Sequence, residues 1–187
     1  MTREQAFELL KKYNKTQSLV MHGLSVEAVM RYFAKKHGED VDYWGVVGLL
    51  HDLDYEMYPD SHCHKSKEIL EGEGAEAGLI RAVMSHGYGI CTEVAPEHVM
   101  EKVLYTTDEL TGLITAAVYM RPSKSVLDLE VKSIKKKFKT QSFAAGVNRE
   151  VILKGCEMLG MELDEVIQWT IDGMKEAAHE IGLAGEL

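Results

Sequence analysis

Apolar residues recur at helical spacing along almost the whole chain, and alternating runs of β-branched residues are scarce. The pattern predicts helices over about 2–13, 18–36, 41–53, 62–72, 75–86, 96–121, 124–138, 148–159 and 163–181. Gly38, Gly72, Gly160 and Gly182 fall where helices should stop, and Pro59, Pro96 and Pro122 mark boundaries. There is no internal repeat, low-complexity tract or linker. The expected fold is all-α, a single-domain helical bundle spanning 1–187.

Four of the apolar stripes carry a polar group. His22 shares its face with Val26, Val29 and Phe33, and His51 sits behind Trp44 and Val47. His86 follows Leu79 and Val83, and Asp108 continues Met100 and Leu104. A single inward histidine is explained as well by a hydrogen bond to a backbone carbonyl. Inward imidazoles and carboxylates drawn from four separate helices are what a metal site in the core of a bundle requires. A divalent cation is then the partner that the buried His51–Asp52 pair needs, since burying both without one is costly.

Composition narrows the setting. The 187 residues are 45% hydrophobic with 16 glycines and 3 prolines, which excludes a disordered or fibrous chain, and no apolar run is long enough to span a membrane. A formal charge of −9 argues against broad contact with a nucleic acid polymer. The amphipathic start, MTREQAFELLKKYN, has no apolar leader pattern, and Cys63, Cys91 and Cys156 are an odd, scattered set. The expectation is a cytoplasmic protein with ordinary free thiols, its homo-oligomeric state left open.

A histidine on an early helix, an apolar run ending in LLHD and an aspartate some 55 residues later make the chain similar to the HD-domain superfamily of metal-dependent phosphohydrolases. The positions are His22, His51–Asp52 and Asp108, and the similarity covers about 18–120, with 124–187 packing on that core. The segment PDSHCHKSKEIL followed by AVMSHG resembles the insertion of the two-metal branch, which implies His62 and His86 as further ligands. His62 is favoured over His64 by its distance from Ile69. TTDELTG, SIKKKFK and FAAGVNRE resemble an uncharacterised branch of predicted hydrolases. The chain departs from the family in carrying Asp54 and Tyr55, with Glu56 next, where many members have glycine and lysine; Glu56 could orient a water or the substrate, against the alternative that the triplet is a surface turn.

The cofactor expected from this reading is one or two divalent ions, with Fe, Mn, Zn, Co, Ni and Mg all open. The expected reaction is attack of metal-bound hydroxide on a phosphate ester of a small molecule, a nucleotide first among them, with Asp52 and Asp108 at the catalytic centre. Arg121 and Lys136 are candidate phosphate contacts, against the alternative that Lys132, Lys135, Lys136 and Lys139 form a solvated face. A two-iron oxygenase on the same ligands and a nucleotide-sensing module are the alternatives.

Overall fold

The computed structural model describes residues 1–185. Nine α-helices occur among them: α1 Arg3–Tyr13, α2 Gln17–His37, α3 Val41–Leu50, α4 His64–Gly72, α5 Ala77–Ser85, α6 Val99–Tyr119, α7 Val131–Lys139, α8 Arg149–Leu159 and α9 Leu163–Glu176. A 3₁₀ turn, Pro59–Ser61, precedes α4. No helix of the described residues is long and apolar enough to cross a membrane.

Local chemistry sets the ends. Thr2 caps α1 through a reciprocal capping box with Gln5, and His98 caps α6 in the same way with Glu101. Asp40 and Asn148 accept from the first free amides of α3 and α8. Gly38 and Gly160 close α2 and α8 in the left-handed conformation that a side chain disfavours.

The expected boundaries shift where local bonding competes with the apolar pattern. The helix expected over 124–138 begins only at Val131, because 120–130 is folded into turns. There Lys124 adopts a positive φ of 49° and Val126 N donates to Leu183 O. The helix expected from 62 begins at His64, after Cys63 takes a φ of 66°. α9 ends at Glu176, and turns continue to Gly182.

α2 is the central element, packed on α1, α3, α6 and α9, while α6 packs on α8 along its opposite flank. The core is continuous from Val26, Val29 and Phe33 of α2 through Leu49 and Leu50 of α3 to Leu104, Leu110 and Leu113 of α6. α6 and α8 approach closely where Gly155 lies against Thr106; a Cβ there would stand 2.7 Å from Thr106 Cβ. The polar groups on the stripes of α2, α3, α5 and α6 are thereby turned toward one another.

Candidate metal centre

His22 of α2, His51 and Asp52 at the end of α3, and Asp108 of α6 meet at one point. His22 Nε2 lies 2.9 Å from Asp108 Oδ1 and 3.2 Å from His51 Nε2. His51 Nε2 is 3.3 Å from Asp108 Oδ1 and 3.4 Å from Asp52 Oδ2, and His22 Nε2 is 3.8 Å from Asp52 Oδ2. A ligand bond of about 2.1 Å puts neighbouring donors of one ion about 3.0 Å apart at a right angle and about 3.4 Å apart in a tetrahedron. Four of the five separations lie close to these edges, and the fifth, His22 Nε2 to Asp52 Oδ2 at 3.8 Å, is somewhat longer.

A second donor set adjoins the first. His62 Nε2 and His86 Nε2 are 3.1 Å apart, and each lies 3.4 Å from Asp52 Oδ1. Asp52 thus faces the first set with Oδ2 and the second with Oδ1. Both groups of side chains could hold a metal ion.

The imidazoles are oriented from behind. His51 Nδ1 is 2.7 Å from Gly48 O, His86 Nδ1 is 2.5 Å from Val83 O, and His62 Nδ1 is 2.7 Å from Asp54 Oδ1. Each of these oxygens can only accept, so each Nδ1 carries a proton, and each ring in its neutral form turns an Nε2 lone pair toward the centre. In the second set two such lone pairs face each other at 3.1 Å. They repel unless a proton or a cation lies between them, and a divalent cation fits this donor set.

The electrostatics follow from the same contacts. Burial opposes charge on Asp52, yet His51 and then His86 hold it well below the ordinary carboxylate range. Asp108 is lowered likewise, burial being outweighed by His51 and His22. His51 is raised well above an ordinary imidazole because the charges of Asp52 and Asp108 outweigh its complete burial. His62 is raised against burial by Asp54, and Asp54 is lowered against burial by His62 and by the Ser66 amide.

The centre opens into a recess of about 330 Å³, within the range of small-molecule sites. Tyr55, Ile90, Tyr105 and Val151 form its apolar and aromatic walls, and Glu109 adds a carboxylate beside Asp108. Burial, and then the charge of Asp108, raise Glu109 above an ordinary glutamate; its Oε2 accepts from Asn148 N. Among the described residues no lysine or arginine lines the recess.

Of the residues singled out in the sequence, all six expected ligands come together, with His62 rather than His64 in the cluster. His64 is exposed, its Nε2 directed to Cys91 O. Three candidates lie elsewhere. Glu56 accepts from the backbone amides of Lys15 and Thr16 and from the Thr16 hydroxyl, so it braces the α1–α2 turn. Arg121 is held by Asp128 and shares a separate surface recess with Lys136. About three helical turns of α6, roughly 16 Å, separate that end of the helix from Asp108. Neither cation lines the recess at the centre.

Sequence reasoning missed Asp54, which is fully buried and orients His62, and Glu109 and Tyr105 of the recess wall. It also took the cysteines as scattered, whereas Cys63 and Cys91 are adjacent. Burial raises both of these thiols. Compared with protein-family models, curated proteins and solved structures, the chain matches none, and the donor geometry itself carries the functional reading.

Proposed function

We propose that this chain is a metal-dependent phosphohydrolase of the HD-domain type, acting on a phosphate ester of a small molecule such as a nucleotide. The observation that carries the reading is the division of Asp52, one oxygen toward His22, His51 and Asp108 and the other toward His62 and His86. Those residues would hold two cations side by side. Paired divalent ions activate water and offset charge on both the entering and leaving oxygens of a phosphoryl transfer.

The chain's own residues supply the rest. Asp54, Gly48 and Val83 lock three imidazoles, so that the donor atoms need no rearrangement on binding. His51 and His86 are themselves buried, so the inner side of the centre is shielded from water. Tyr55, 46% exposed, offers a flat surface for the organic part of the substrate, as a nucleobase would present. With no lysine or arginine on the recess wall, an anionic substrate has no side-chain cation to meet, and its binding depends on metal loading.

The same absence of side-chain cations favours, as a second reading, a two-iron oxygenase with a less charged substrate. One experiment separates the two. Metal-depleted protein is reloaded with Mn, Fe, Zn or Co and offered phosphomonoesters, phosphodiesters and nucleotides, while phosphate release and O₂ uptake are followed. Metal-dependent phosphate release supports the hydrolase. O₂ uptake with iron and no phosphate release transfers the proposal to the oxygenase, and neither activity with any metal defeats both.

A further inference from the structure

Cys63 and Cys91 belong to neither core donor set, yet they sit at its edge. Their sulfurs lie 3.1 Å apart although 28 positions separate them in the chain. Cys91 lines the recess and is partly exposed, while Cys63 is fully buried behind it. The gap is wider than a disulfide bond of about 2.05 Å. It is narrower than the separation of about 3.8 Å between two thiolates on one tetrahedral zinc, given Zn–S bonds of about 2.3 Å. The two sulfurs are thus in contact but unbonded, and with His62 they also form a group that could hold a metal ion, which is why the thiol chemistry is tested on metal-free protein.

The backbone is arranged for this approach. Gly87 passes beneath both sulfurs, and a Cβ at that position would collide with each. Cys63 holds a positive φ of 66°, a conformation non-glycine residues adopt only where their surroundings enforce it. Two separate segments, the turn before α4 and the loop after α5, are thus shaped to bring these thiols into contact.

We propose that Cys63 and Cys91 are a modification site, a dithiol that a peroxide converts to an intramolecular disulfide at the rim of the recess. The Cys91 sulfur, the accessible one, attacks a peroxide oxygen. The O–O bond breaks, and the departing hydroxide takes the thiol proton and leaves as water, so that Cys91 becomes a sulfenic acid. The Cys63 sulfur then attacks the Cys91 sulfur, forming the S–S bond and breaking the S–O bond. The released hydroxide takes the Cys63 proton as a second water, and two electrons have passed from the sulfurs to the peroxide. Preorganisation speeds the second step, because the resolving thiol already touches its target.

The disulfide would fasten the turn carrying His62 to the loop that follows His86; Cys63 Sγ is 3.9 Å from His86 Nε2. The proposal stands on the cysteines alone and does not depend on the phosphohydrolase reading. Its test is peptide mapping of metal-free, reductant-free protein after long incubation with excess hydrogen peroxide, long because burial slows the first step. Free thiols should fall from the three in the sequence to one per chain. A Cys63–Cys91 linked peptide should appear, with Cys156 unmodified, and dithiothreitol should reverse the change. In Cys63→Ser the sulfenic acid on Cys91 should persist and be trapped by dimedone. Sulfinic acid on Cys91 with Cys63 still free in the wild-type protein, or linkage only between chains or to Cys156, overturns the proposal.

Discussion

Asp54→Asn isolates the second cation from the first. The Asp54 carboxylate is fully buried, with Oδ1 2.7 Å from His62 Nδ1 and Oδ2 2.8 Å from the Ser66 amide. An asparagine keeps one acceptor, and the Ser66 N–H, which has no other partner among the described residues, claims it. The new NH₂ group then faces His62 Nδ1, which must become an acceptor, and the imidazole proton moves to Nε2. That proton points into the space between His62, His86 and Asp52. Loss of such an outer partner lowers metal affinity about 10- to 100-fold, or roughly 1.4–2.7 kcal/mol. Among the described residues Asp54 makes its side-chain hydrogen bonds to His62 and Ser66 and none to His22, His51 or Asp108, so the first ion should bind as before. Equilibrium dialysis against Mn²⁺ or Zn²⁺ should show two sites in the wild-type protein and a selective weakening of one in the variant. Unchanged affinity for both ions, or an equal loss at both, would refute the orienting role given to Asp54.

Other consequences are independent of that carboxylate. Gly155→Ala should destabilise the protein by about 1–3 kcal/mol in urea denaturation, because its methyl group overlaps Thr106 where α8 meets α6; an unchanged midpoint would contradict that packing. Arg121→Ala and Lys136→Ala should leave kcat and KM for a phosphate ester unchanged, since both lie in a recess apart from the centre, and a raised KM for either would bring that recess into substrate binding. Burial and then Glu76 push Tyr43 up to about 12. An unfolded tyrosine ionises near pH 10. The tyrosine's contribution to stability is therefore whole below about pH 10 and lost as pH rises toward 12. Tyr43→Phe should flatten stability over that interval, and an identical slope in the two proteins would remove Tyr43 from the effect.

The sequence made the helical class and the inward histidines legible because both follow from periodicity. His22, His51, His86 and Asp108 each extend an apolar stripe, and the fold turns those stripes toward one another. His62 has no such stripe and was reached through resemblance; its placement depends on a 3₁₀ turn and the left-handed backbone at Cys63. Asp54 was hidden because a short acidic triplet reads as a surface turn, while the chain folds back so that its carboxylate caps Ser66 inside the protein. Arg121 and Lys136 were misplaced for a different reason. Charge along the chain reports what could attract an anion, whereas distance from the centre is set by helix length, and α6 carries Arg121 away from Asp108. The Cys63–Cys91 contact joins segments 28 residues apart, a separation at which no local pattern operates.

Anomalous diffraction from a metal-loaded crystal tests the central claim most directly. The account predicts one peak about 2.0–2.2 Å from His22 Nε2, His51 Nε2 and carboxylate oxygens of Asp52 and Asp108, and a neighbour bound by His62, His86 and the other oxygen of Asp52. Both peaks should vanish in Asp52→Ala, the shared ligand being gone. A loaded crystal with no peak among these six side chains, or with its metal held only at Cys63 and Cys91, would contradict the account.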